Sequence, residues 1–169
     1  MPSPAGPGAR KQITTPDGTV AELVEVRPAE TPAGGSARTK ARKHALDILF
    51  EADLREVPAA DVLAAQGGPE DRPLRPLTAQ LVNGVSEHRG ELDEALARRL
   101  PADWTLVRMP RVDRNLARLA AYELLYTDTD PAVTLAECVS LATELSTDDS
   151  PAFLNGVLGA LAREHRPGS

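Results

Sequence analysis

Between residues 110 and 164 the apolar residues recur at the spacing of a helix and nowhere alternate as a half-buried strand would. Phe153, Leu154, Val157, Leu158 and Leu161 fall on one helical face, as do Val112, Leu116, Leu119 and Ala120. The same period runs through Ala41, Ala45, Leu46, Ile48, Leu49 and Ala52, with Lys40, Lys43, Asp47 and Glu51 opposite. Such a chain is expected to be all-α, because a strand needs a period of two to present one face to a core. Turn-forming clusters at Gly67-Gly-Pro69, Arg72-Pro-Leu-Arg-Pro76, Pro101 and Met109-Pro110 cut the pattern into pieces. Helices are therefore predicted at 38 to 55, 59 to 66, 76 to 88, 90 to 100, 110 to 127, 133 to 145 and 151 to 164. The length and early position of the first suit a central strut.

Local signals sharpen some starts. Ser150 followed by Pro151 reads as a cap with proline in the first turn, where its missing N–H costs nothing. Thr134 with Glu137 has the spacing of a capping box. Asp148 and Asp149 precede the last helix, where negative charge is favourable. Gly156 and Gly159 inside an apolar helical repeat predict the close approach of another backbone, since glycine otherwise weakens a helix by roughly 1 kcal/mol.

Residues 1–35 read differently. They hold six prolines and five glycines and show no helical period, so a disordered leader is expected there. Its one apolar cluster, Val20-Ala-Glu-Leu-Val-Glu-Val26, has the composition of a segment that becomes a strand or helix on a partner. The folded domain is expected over 36–165, followed by a tail at 166–169.

Composition narrows function. With 25 acidic against 19 basic residues, the protein should not attract nucleic acid over its whole surface, so any such binding must be local. One cysteine, Cys138, allows no internal disulfide, and no apolar stretch has the length of a membrane span or signal core. A cytoplasmic location is the expectation. His44, His88 and His165 lack ligand spacing, and neither a phosphate loop nor a nucleophile motif is present, so no metal, cofactor or catalytic site is expected. Glu123 falls in line with Leu116 and Leu119 and reads as a carboxylate locked structurally against the core rather than a base.

The local positive charge lies in Ser36-Ala-Arg-Thr-Lys-Ala-Arg-Lys-His44. Arg38, Lys40, Arg42 and Lys43 stand there without an acid among them, at a helix start where cations oppose the dipole. An anionic partner would explain that placement, and so would a solvated helix end following a flexible tail. If all four met phosphates of a single strand, log affinity would fall with log salt at a slope of about −2.8. Only five aromatic residues are present, too few for a multi-base stacking platform.

Four fragments resemble the NusB family of bacterial transcription antitermination factors: Ala41-Arg-Lys-His-Ala-Leu-Asp-Ile-Leu-Phe50, Leu81-Val-Asn-Gly-Val85, Arg118-Leu-Ala-Ala-Tyr-Glu-Leu124 and Phe153-Leu-Asn-Gly-Val-Leu158. Their order and spacing extend the resemblance over roughly residues 37 to 164. It implies two three-helix subdomains plus an additional helix, and binding rather than catalysis. It further implies pairing with ribosomal protein NusE, joint recognition of boxA RNA in nascent ribosomal RNA, and assembly with RNA polymerase for read-through. By position it makes Arg38, Lys40, Arg42, Lys43 and Phe153 candidates for RNA contact, and Phe50 and Asp113 candidates for NusE. Homodimerisation, seen among relatives, would mask the basic edge. Where the family often carries lysines, this chain has Thr143 and Ala152, and Leu145-Ser146 replaces Phe-Gly. Those departures keep open a second reading, a protein-interaction scaffold of the same fold with little RNA binding of its own.

Overall fold

A computed structural model describes residues 11–14, 20–23, 36–66 and 74–165. Among the described residues seven α-helices follow one another: α1 (Ala37–Arg55), α2 (Ala59–Ala65), α3 (Pro76–Glu87), α4 (Arg89–Ala97), α5 (Arg111–Tyr126), α6 (Pro131–Leu145) and α7 (Ser150–Glu164). The first three pack on one another, as do the last three, and α4 lies against α5 and α7. This is the expected pair of three-helix subdomains with one additional helix.

The central position belongs to α5, not to α1. Residues 115–124 are buried without interruption, and α5 touches α1, α3, α4, α6 and α7. A helix covered on every side can bury its polar residues only by pairing them. Arg118 accordingly donates from Nε to Asp93 at 2.7 Å and from Nη2 at 3.0 Å. By contrast α1 keeps a solvent face that includes Asp47 and Leu54.

Several helix ends follow local chemistry. Ser36 caps α1, its hydroxyl accepting from the Thr39 backbone N–H at 3.1 Å. At the other end Glu56 takes φ 55°, and its N–H bonds back to α1 carbonyls, which stops the helix sharply ahead of Pro58. The α4 helix ends at Ala97, earlier than expected, because Pro101 disfavours helical backbone at Leu100. A short 3-10 turn, Leu106–Arg108, precedes α5 and was not legible in sequence.

Both proposed caps in the last third are corrected. Helix α6 starts at Pro131, with Asp130 Oδ1 accepting from the Ala132 N–H at 2.9 Å, so Thr134 is already inside the helix and buried. Glu137 turns away to accept from the Thr39 hydroxyl at 3.0 Å. Ser150 is the first residue of α7 rather than its cap, and its hydroxyl donates to Asp113. The close approach predicted at Gly159 is also absent, since a Cβ there would meet only the end of Arg163 at 3.5 Å. It occurs at Gly84 in α3, where a Cβ would lie 2.1 Å from Cζ of Tyr122.

In the leader, Lys11–Thr14 and Val20–Leu23 form two antiparallel strands, β1 and β2, pairing Lys11 with Leu23 and Thr14 with Val20. The apolar cluster at Val20 thus contributes a strand. Otherwise the expectation of a disordered leader and of a tail at 166–169 falls outside the described residues.

Asp53, on α1, ties the first subdomain to α5. Its Oδ2 accepts from Arg114 Nε and Nη2 at 3.2 and 2.7 Å and from Asn115 Nδ2 at 2.9 Å. Burial alone would raise the Asp53 pKa, but the hydrogen bonds from Arg114 and Asn115 and the charges of Arg114 and Arg118 hold it below the usual carboxylate range. A depressed folded pKa stabilises the fold above the unfolded value of about 3.9, and that stability is lost as pH falls through the folded pKa. Asp53→Asn should therefore lower stability at pH 7 and flatten the acid limb of the stability profile. Urea titrations between pH 7 and 2.5 that show equal loss in both proteins would contradict this.

Candidate nucleic-acid edge and partner face

The first two turns of α1 carry the basic segment, and its four cations have separate fates. Arg38 and Lys40 are exposed and make no ion pair among the described residues. Arg42 is corrected: it is 2 % exposed, donates from Nε to both Glu123 oxygens at 3.1 and 3.0 Å, and from Nη2 to Oε1 at 2.8 Å. Its remaining nitrogen, Nη1, stands 3.9 Å from Glu137. The helical period explains the direction, since Arg42 shares a face with Ala45, Leu46 and Leu49. Burial works against the guanidinium's charge, but the hydrogen bond and charge of Glu123, with Glu137 behind, raise its pKa on balance. Glu123 is thus the structural lock expected from its place on α5.

Lys43 reaches α6 and pairs with Glu144 across the surface. The hydrogen bond to Glu144 and its charge raise the lysine pKa, so the ammonium is held but partly neutralised. The edge gains a cation that sequence did not single out. Thr78 donates its hydroxyl to the Ala41 carbonyl at 3.1 Å, which sets the start of α3 beside the start of α1. Arg75, the half-exposed residue preceding α3, lies at that same end. Two helix N-termini side by side add their partial positive charge to Arg38, Lys40 and Arg75.

Phe153, the aromatic candidate for RNA contact, is 8 % exposed, its ring 5.6 Å from that of Trp104 between centroids and tilted by 41°, so little of it is open to a base. For the partner face, Phe50 is half-exposed on α1 and one turn ahead of Leu54, which is 54 % exposed. Asp113 does not join it. At 3 % exposure it accepts from the hydroxyls of Ser146 and Ser150, the latter at 2.8 Å, and so fastens the turn between α6 and α7 to the start of α5. Local sequence suggested only a favourable charge at a helix start, because the serines lie more than thirty residues away.

Cys138 is fully buried, and burial followed by the charges of Asp113 and Glu123 pushes its thiol far up, leaving it without thiolate reactivity. Among the described residues no three His, Cys, Asp or Glu side chains gather as a metal site, and no helix is long and apolar enough to cross a membrane.

The comparisons agree with this architecture. The model of the NusB family matches residues 39–163. A transcription antitermination protein NusB of Cutibacterium acnes is 54% identical over 126 residues, covering 75% of this chain but only 48% of that protein, so the chain spans about half of that relative's length. The NusB protein of Salinispora arenicola is 54% identical over 131 residues, with 95% of its length covered. Among solved structures, NusB of T. maritima superimposes with a TM-score of 0.69 at 29% identity, covering 78% of this chain and 94% of that one. The fold also matches a NusB chain crystallised with NusE and double-stranded RNA, at a TM-score of 0.65 and 24% identity over 75% of this chain and 96% of that one. With a family match across most of its length and relatives at half identity, this chain belongs to the NusB family.

Proposed function

We propose that the protein is a transcription antitermination factor that pairs with ribosomal protein NusE, binds the boxA element of nascent ribosomal RNA and joins the RNA polymerase complex that reads through terminators. It acts by binding and carries out no catalysis. The observation that supports this most directly is the end where α1 and α3 begin. There Arg38, Lys40 and Arg75 stand exposed or half-exposed beside two helix N-termini on an otherwise acidic protein. The relatives named as antitermination proteins, and the related NusB crystallised with NusE and RNA, lend the RNA and the partner their identity. Phe50 and the exposed Leu54 are the partner-facing residues, and a homodimer formed at the basic edge would compete with RNA.

Because Arg42 is buried and Lys43 is paired, the expected salt slope is that of about three phosphates, near −2 rather than −2.8. Arg38→Ala and Lys40→Ala should each reduce it by about 0.7, weaken boxA binding and leave thermal stability unchanged. Fluorescence anisotropy with boxA and scrambled RNA, with and without NusE, over a salt series measures all of this. NusE that fails to tighten boxA binding would overturn the reading.

A second reading has specific support. Glu123 and Glu144 take up half of the basic segment, which favours a scaffold with little RNA affinity of its own. Binding of boxA to the NusE pair that does not change with Arg38→Ala and Lys40→Ala would select it.

A further inference from the structure

A cleft of about 260 Å³ opens between the end of α1, the start of α2, the end of α3 and α5, away from the basic edge. Leu49, Val57 and Val85 supply apolar wall, and Asp53, Arg89 and Arg118 supply charge. Two of its polar groups are half-used. Arg118 is 5 % exposed and spends Nε and Nη2 on Asp93, leaving Nη1 without a hydrogen-bond partner among the described residues. Asp53 receives all of its donors on Oδ2, leaving Oδ1 with none among the described residues. Arg89, exposed at the first position of α4, makes no ion pair among the described residues.

From this we infer that the cleft is a socket for an acidic side chain, a glutamate or aspartate presented by an extended segment of the protein partner. This deepens the partner-binding reading above and rests on it. The volume suits one amino-acid side chain and is too small for most organic ligands, whose pockets begin near about 300 Å³. The apolar wall suits methylene groups, Arg118 Nη1 and Arg89 supply donors to a carboxylate, and Asp53 Oδ1 accepts from a peptide N–H of the same segment. Continuity with the partner face argues for a protein rather than a free metabolite. Leu54 follows Asp53 directly, and Val107, 84 % exposed, belongs to the loop whose carbonyl oxygens accept from Arg114, the residue bound to Asp53. Exposed apolar groups beside a charged socket are the usual surroundings of a protein interface.

The full-length, isotope-labelled protein can be titrated with acetyl-Val-Glu-Val-amide, its Gln counterpart and inorganic phosphate, following the Arg118 Nε–Hε signal and the amides of Asp53 and Ser86. The glutamate peptide should shift these signals and bind about fivefold or more tighter than the glutamine peptide, as charge-assisted hydrogen bonds require. Ala60→Phe, an exposed position at the cleft, and Arg89→Glu should abolish the shifts without altering the melting temperature. Both should weaken NusE pairing about tenfold, as the loss of one hydrogen bond to a charged group does. Equal response to both peptides, or stronger response to phosphate, overturns the inference. So do cleft variants that pair normally with NusE while Phe50→Asp does not, a result that leaves the pairing itself standing. If NusE does not pair at all, the partner reading fails, and the peptide titration judges the socket alone.

Discussion

Arg42→Ala should destabilise the fold by about 3–5 kcal/mol, the loss typical when one member of a buried ion pair is removed. The substitution leaves Glu123, itself 2 % exposed, without the guanidinium that gives it three hydrogen bonds. It also removes one of the polar links between the first subdomain, through α1, and the central helix α5, leaving that of Asp53. Most of the effect comes from the stranded carboxylate rather than from the net strength of the pair. Arg42→Met combined with Glu123→Leu should therefore recover much of the loss, and a double-mutant cycle in urea measures the coupling. Where the single variant remains folded, its boxA affinity should stay within about twofold of the parent, because Arg42 offers no phosphate contact. A stable Arg42→Ala protein with sharply weakened RNA binding would return Arg42 to the nucleic-acid edge.

Gly84→Ala is the second large effect, expected to destabilise by about 2–3 kcal/mol through overpacking. The added methyl would stand 2.1 to 2.5 Å from Cζ, Cε2 and Oη of Tyr122. That ring has little room to retreat, being buried and set in a pile with His88 and Tyr126. Alanine is the better helix former by roughly 1 kcal/mol, so propensity alone predicts stabilisation and the two arguments differ in sign. Combining Gly84→Ala with Tyr122→Leu should cost less than the sum of the single changes, since the smaller side chain vacates the contested space. Thermal melts of the four proteins decide it. A Gly84→Ala protein more stable than the parent would show that α3 and α5 slide apart easily.

These two positions mark where the sequence stopped being readable. The apolar faces of α1, α5 and α7 repeat within a few residues, so helices at 37–55, 111–126 and 150–164 could be placed to within a residue or two. Arg42 and Glu123 each lay on an apolar face, and two opposite charges so placed are a signal for a buried pair. The basic neighbours Arg38, Lys40 and Lys43 obscure that signal at Arg42, while Glu123 stands among apolar residues only. Asp113 and Ser150 show the opposite limit: each makes local sense as helix-end chemistry, and their union, with Ser146 between them, has no local trace. Gly84 and Gly159 looked alike in sequence, and only the position of Tyr122 separates a required glycine from a tolerated one.

By itself, then, the sequence determined the all-helical class, the number and approximate limits of the helices, and the location of the basic segment. Those properties rest on interactions between residues close along the chain, where period, proline and charge are directly visible. Tertiary structure alone decided that α5 rather than α1 is central, which cations face solvent, and which carboxylates are spent on internal pairs. Burial and ion pairing depend on neighbours tens of residues away, and a one-dimensional pattern carries the direction of a side chain but not what it meets.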